Sequence, residues 1–155
     1  MTLQIGDLAP DFTLPDQSGV ALPLSSLRGK RVVLYFYPKD ATPGCTKEAC
    51  NFRDRWADFA AHDIVVLGIS KDNAASHQRF IAKQELPFTL LTDAEPCPVA
   101  SAYGSYGLKK FMGREFMGMM RHTFVVDAEG RLELIYRKVK ADVMADQILK
   151  DLSLA

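Results

Sequence analysis

The sequence predicts an α/β fold: a mixed central sheet flanked by helices, preceded by an N-terminal hairpin extension. Three observations carry this reading. Two apolar runs, Arg31 to Tyr37 and Asp63 to Ser70, lack the alternation of a half-exposed strand and fit strands covered on both faces. Each is followed by a stretch with helical spacing. Near the C-terminus, strand, turn and strand lead into an amphipathic helix, so parallel order gives way to an antiparallel end.

Taken in order, Ala9 to Pro15 alternates between prolines, Asp16-Gln17-Ser18-Gly19 is turn chemistry, and Val20 to Leu24 returns as the second arm of a hairpin. Ser25 to Lys30 is a short loop or single helical turn. The strand at Arg31–Tyr37 ends at Pro38. A helix is expected over about Cys45 to Ala61, with Phe52, Trp56, Phe59 and Ala60 on one side. After the second strand, Asp72 or Asn73 can cap a helix over Ala74 to Gln84. Phe88 to Leu91 is a short strand and Pro98 to Tyr103 a short helix. Leu108 to Met120, rich in Met, Phe, Lys and Gly, reads as loop with strand fragments. His122–Val126 and Leu132–Tyr136 form the closing hairpin around Asp127-Ala128-Glu129-Gly130. Val143 to Leu152 is the last helix.

At 155 residues the chain suits one domain, 1–155, large enough to bury a core. Hydrophobic residues make up 48%, with no run of the roughly 18 residues a membrane span needs. The first residues lack a basic stretch followed by an apolar one, so no signal peptide is visible. Nineteen basic and nineteen acidic residues leave no net charge, which argues against nucleic-acid binding. Three cysteines, Cys45, Cys50 and Cys97, are too few and too odd in number for a secreted disulfide scaffold. The expected home is a reducing cytoplasm, where cysteines are more often catalytic, redox-sensing or metal-binding than structural.

The chemistry concentrates where the first buried strand ends. Pro43 suits the first turn of a helix. Cys45 then falls among the unpaired N–H groups and positive dipole end of that helix, where a thiol loses its proton more easily than a free cysteine. Thr42 can cap the helix, aim its hydroxyl at the sulfur, or both.

Pro38-x-x-x-Thr42-x-x-Cys45 resembles the active-site motif of the peroxiredoxins. With Thr46-x-Glu48-Ala49-Cys50 it is similar to the bacterioferritin-comigratory, or Q-type, subgroup. The likeness continues through Ala9-Pro10-Asp11-Phe12 and Arg121-His122-Thr123-Phe124-Val125-Val126-Asp127, nearly the whole chain. It implies a thioredoxin-like fold and a peroxidase acting on hydrogen peroxide and organic hydroperoxides, without metal, haem or flavin. It also implies recycling by thioredoxin or a similar dithiol protein, and leans towards a monomer. Cys45 is then the nucleophile, Thr42 holds the thiolate or a peroxide oxygen, Pro38 shields the sulfur, and Arg121 is the fixed cation. Glu48 can orient Arg121 through a charge-assisted pair. Attack leaves Cys45 as sulfenic acid, which Cys50 can condense to a disulfide. Five residues of helix rise about 7.5 Å and turn about 500°, whereas a disulfide needs Cα atoms within about 7 Å and convergent Cβ vectors. The Cys45–Cys50 bond therefore requires the first turns of the helix to unwind.

Blander readings stand beside these. Cys50 can be merely buried. Cys97, between Pro96 and Pro98, reads as a bystander, with a second resolving role open. The methionines at 112, 117, 119 and 120 fit core packing or a collar around an organic peroxide. Lys109, Lys110 and Arg114 read as a solvated face. His62, His77 and His122 show no metal-ligand spacing. A general disulfide oxidoreductase would carry Cys-x-x-Cys, which is absent. A redox sensor would oxidise without turning over.

Overall fold

The computed structural model describes residues 2–154. Its framework is a five-stranded sheet of β3 (Val32–Phe36), β4 (Val65–Ser70), β5 (Thr89–Thr92), β8 (His122–Val126) and β9 (Leu132–Tyr136). Across the sheet they lie in the order β5-β4-β3-β8-β9. The first three run parallel, β8 is antiparallel to β3, and β9 is antiparallel to β8. Central β3 is buried throughout, which is why its sequence shows no alternation. Its side chains nevertheless divide between two cores. Val33, Tyr35 and Tyr37 join one face of the sheet; Val32, Leu34 and Phe36 join the other.

The first face is covered by α1 (Pro43–Asp54), α2 (Trp56–Ala61), α3 (Ala74–Gln84) and α5 (Met144–Asp151). Phe52 of α1 stacks on Tyr35 at 4.7 Å between ring centroids. The second face is covered by the N-terminal hairpin, β1 (Thr13–Pro15) with β2 (Ala21–Pro23), and by α4 (Pro98–Ala102). Asp16 shapes the hairpin turn by accepting the N–H groups of Ser18 and Val20. Of the two candidate caps for α3, Asn73 takes the role, accepting the Ser76 N–H at 2.9 Å.

Two expectations need correction. The helix expected over Cys45–Ala61 is two helices joined at Arg55, whose backbone leaves helical geometry at φ −102°, ψ 7°. Arg55 pairs there with Asp146 of α5. The apolar pattern runs on because Phe52 and Phe59 are buried in the same core, so periodicity alone could not reveal the break. The segment Leu108–Met120, read as loop with strand fragments, lies in a regular hairpin, β6 (Tyr106–Phe111) with β7 (Arg114–Met119). Its loop, Met112-Gly113, has positive φ at both residues (51° and 76°), as two-residue hairpin loops of the I′ type require. Much of the hairpin faces solvent, so the burial that would impose alternation is missing. Met112 and Met117 are exposed rather than core, while Met119 is buried.

Candidate active site

The site is built where β3 feeds α1, at the C-terminal edge of the parallel strands, the edge at which open α/β sheets carry their sites. β3 ends before Pro38. Asp40 turns the chain inward, Ala41 takes a left-handed backbone (φ 62°), and Thr42 is the extended residue before the helix. Cys45 lies in the first turn of α1 and is 1% exposed. The Thr42 hydroxyl donates to the Lys39 carbonyl at 2.9 Å and makes no cap bond to α1. Pro38 is half-buried.

Sheet register brings Arg121 to this point. Phe36 pairs with His122 in the β3–β8 ladder, so the residue before His122 lies beside the end of β3. The guanidinium divides its fork: Nη2 donates to Cys45 Sγ at 3.2 Å and Nη1 to Glu48 Oε1 at 2.8 Å. Burial opposes the charge on Arg121, but Cys45 and Glu48 together hold its pKa above the ordinary value. Gly44 leaves room for the approach, since a Cβ there would stand 3.0 Å from Nη2 and press on it. Glu48 is fully buried, and its second oxygen, Oε2, has no hydrogen-bond partner. Burial raises its carboxyl to about 7, against the opposing pull of Arg121.

Cys50 lies on another side of α1. It is half-buried and its thiol donates to Gln84 Oε1 of α3 at 3.4 Å. All three cysteines are free thiols. The sulfurs of Cys45 and Cys50 thus contact different elements, as the helical spacing requires. Cys97 is fully buried in the core on the opposite face of the sheet. Burial, with Asp93 and Glu95 adding to it, pushes its thiol up to about 11.

The structure brings in residues that sequence reasoning missed. Asp40 is buried and accepts from Tyr37 Oη at 2.5 Å and Ser76 Oγ at 2.8 Å, with His77 Nδ1 at 2.8 Å. The only local signal was an acidic residue between Lys39 and the Thr-Pro-Gly-Cys run. Lys109, read above as part of a solvated face, is half-buried. It crosses Gly118, where a Cβ would stand 2.8 Å from its Cδ, and donates to the Met119 carbonyl at 3.0 Å. Burial, then Arg121, lowers its pKa. Lys110 and Arg114 remain exposed. Among the described residues, no group of three or more His, Cys, Asp or Glu side chains is placed to hold a metal ion.

Comparison with known proteins follows the same lines. Residues 5–135 match the model of the AhpC/TSA family. Peroxiredoxin Bcp of Bacillus subtilis is 49% identical over 156 residues, covering 99% of each chain. Among solved structures, the bacterioferritin comigratory protein of Xanthomonas campestris, described for its alkyl peroxide reduction activity, superposes with a TM-score of 0.85. The two share 34% identity over 92% of this chain and 90% of that one. A cysteine-to-serine mutant of Xylella fastidiosa PrxQ reaches a TM-score of 0.91 at 30% identity, over 99% of this chain and 97% of that one. These neighbours share the thioredoxin-like architecture that the resemblance implied. The chain belongs to the AhpC/TSA family and, within it, to the peroxiredoxins of the Bcp, or Q, type.

Proposed function

We propose that this chain is a thiol peroxidase that reduces hydrogen peroxide and organic hydroperoxides at Cys45 and is returned to the dithiol by thioredoxin or a similar protein. The observation that carries the reading is the Arg121 guanidinium 3.2 Å from Cys45 Sγ and braced by buried Glu48. A cation so placed favours negative charge on sulfur and on the oxygen that departs. The alkyl peroxide reduction described for the Xanthomonas relative supports the substrate class.

The Cys45 thiolate attacks the terminal peroxide oxygen. The S–O bond forms as the O–O bond breaks, giving Cys45 sulfenic acid and an alkoxide or hydroxide that takes a proton to leave as alcohol or water. Arg121 faces the developing charge. Thr42, its own proton committed to the Lys39 carbonyl, presents its oxygen to accept the peroxide O–H. Pro38 limits water at the sulfur, and Glu48 fixes Arg121. The first turns of α1 then unwind. The Cys50 thiol attacks the sulfenic sulfur, a disulfide forms and water leaves. A dithiol reductant exchanges with that disulfide and departs oxidised. The working unit is a monomer in the cytoplasm, and the cycle uses no metal, haem or flavin.

The test is turnover with hydrogen peroxide or cumene hydroperoxide, coupled through thioredoxin and its reductase to NADPH oxidation. Wild type turns over, Cys45→Ser does not, and Cys50→Ser reacts with one equivalent and stalls. Reduction of insulin disulfides without peroxidase turnover would replace this reading with a general disulfide oxidoreductase. Oxidation without turnover would favour a redox sensor.

A further inference from the structure

Both cysteines of the proposed cycle lie on one helix, so the segment that unwinds must have two ends, and the polar contacts of α1 mark them. On the N-terminal side, Asp40 is the last residue before α1 whose own backbone and side chain both bond to other elements. The Tyr37 N–H continues the sheet to the Ile69 carbonyl at 3.1 Å. The Asp40 N–H donates to Asp72 Oδ2 at 2.8 Å. The Asp40 side chain, 3% exposed, holds Tyr37, Ser76 and His77. His77 is fully buried, with its other ring nitrogen 3.1 Å from the Leu91 carbonyl. One carboxylate thereby joins the end of β3, the start of α3 and, through His77, β5.

Past Asp40 the ties change character. Ala41 is left-handed, a strained backbone for a residue with a Cβ. The Thr42 hydroxyl bonds only back to Lys39. From Cys45 to Cys50 the side-chain hydrogen bonds to other elements are those of Arg121, with Cys45 and Glu48, and the long one between Cys50 and Gln84. From Asn51 on, α1 is held by α5 and α3 rather than by Arg121. Asn51 Oδ1 accepts the Ala145 N–H at 2.6 Å and its amide donates to Asp146 at 3.3 Å. Phe52 is fully buried, Arg53 donates to the Gln84 carbonyl at 2.8 Å, and Arg55 pairs with Asp146.

We propose that Asp40, held by His77 and Ser76, is a positioning residue: the fixed post at which unwinding of α1 stops on its N-terminal side, with Asn51 the post on the other. The mobile segment is Ala41–Cys50 and contains both thiols. This inference rests on the Cys45–Cys50 reading. In the unwound state Cys45 sulfenic acid and the Cys50 thiol lose water to form the disulfide, and the posts limit how far the strand end and α3 follow. A shorter unwound segment costs less order to rewind when the dithiol is restored.

The experiment is residue-level hydrogen exchange by NMR on the whole chain, as dithiol and as disulfide, with the midpoint potential measured alongside. Oxidation is expected to open amides within Ala41–Cys50 while Asn51–Asp54 and Ser76–Gln84 keep their protection. In Ser76→Ala, which removes one donor, and Asp40→Asn, which removes the charge, opening should spread back through Lys39 to Tyr37. The dithiol–disulfide equilibrium should then move about tenfold towards disulfide, roughly 30 mV more negative. Leu132→Ala, in the core on the opposite face, lowers stability generally and should leave the potential in place. Should Asp40→Asn fail to fold, Ser76→Ala decides. The post is overturned if oxidation opens α3 or Phe52, or if both variants shift the potential no more than Leu132→Ala does. A wild-type product with no Cys45–Cys50 bond overturns the two-cysteine reading itself, and the post with it; a bond with its boundary elsewhere overturns the post alone.

Discussion

Arg121 does two jobs with one planar group, and its neighbours were visible in the sequence to different degrees. Removing it by Arg121→Ala takes away the cation on Cys45 and leaves buried Glu48 without its partner. Oxidation of Cys45 by hydrogen peroxide should slow by about 10²- to 10³-fold, the scale on which lost charge-stabilising donors act, as read by stopped-flow. Gly44→Ala tests the same contact more gently. Its Cβ would crowd Nη2 at 3.0 Å, and a guanidinium locked at both ends has little room to move. A loss of up to about 10²-fold is expected, the scale on which small misplacements act, with secondary structure unchanged by circular dichroism. An unaltered rate would show that Arg121 shifts freely. Cys45, Cys50, Thr42 and Pro38 could be picked out as candidates because they fall in one short run whose chemistry is local. Arg121 lies 76 residues from Cys45, and only family resemblance suggested it. The pairing of Asp40 with His77 was not legible, because a buried histidine 37 residues from its carboxylate leaves no pattern in the chain.

At the scale of elements, the proposed cycle divides α1 into a rigid half and a half that opens. Phe52, fully buried and stacked on Tyr35, belongs to the rigid half. Phe52→Ala should cost about 3–5 kcal/mol of global stability in urea unfolding. Glu48 belongs to the half proposed to open, and burial sets its pH dependence. Its carboxyl sits at about 7 in the folded protein against an ordinary 4.5. Between those values the wound helix binds a proton that the unwound segment has released, so stability of the wound form falls as pH rises through that window. Hydrogen exchange in the first turns of α1, corrected for intrinsic rates, should quicken from about pH 5 to about pH 8, and Glu48→Gln should flatten the trend. A slope unchanged in Glu48→Gln would mean that another group governs it. The break at Arg55 and the β6–β7 hairpin escaped sequence reading for opposite reasons. Shared burial carried one apolar pattern across two helices, and exposure removed the pattern from two strands.

At the scale of the molecule, the sheet separates chemistry from scaffold. Cys45 lies in the core that includes residues of α1, α3 and α5; Cys97 lies in the other core, across β3. Cys97→Ala should therefore leave peroxide turnover and the site of the disulfide unchanged, checked by mass mapping of the oxidised variant. The strands of the central sheet were readable in the sequence because buried parallel strands announce themselves as apolar runs. Sheet order and register were not, and those are what carry Arg121 to the end of β3. The most direct test of the whole account mixes the reduced protein with one equivalent of hydrogen peroxide, quenches by rapid thiol alkylation and maps the products by mass. The account predicts oxidation far faster than that of a free thiol, first at Cys45 as sulfenic acid and then as a Cys45–Cys50 disulfide, with Cys97 remaining a thiol that is alkylated once the quenched protein is denatured. Oxidation at the pace of a free thiol, or a first product at Cys50 or Cys97, would contradict it.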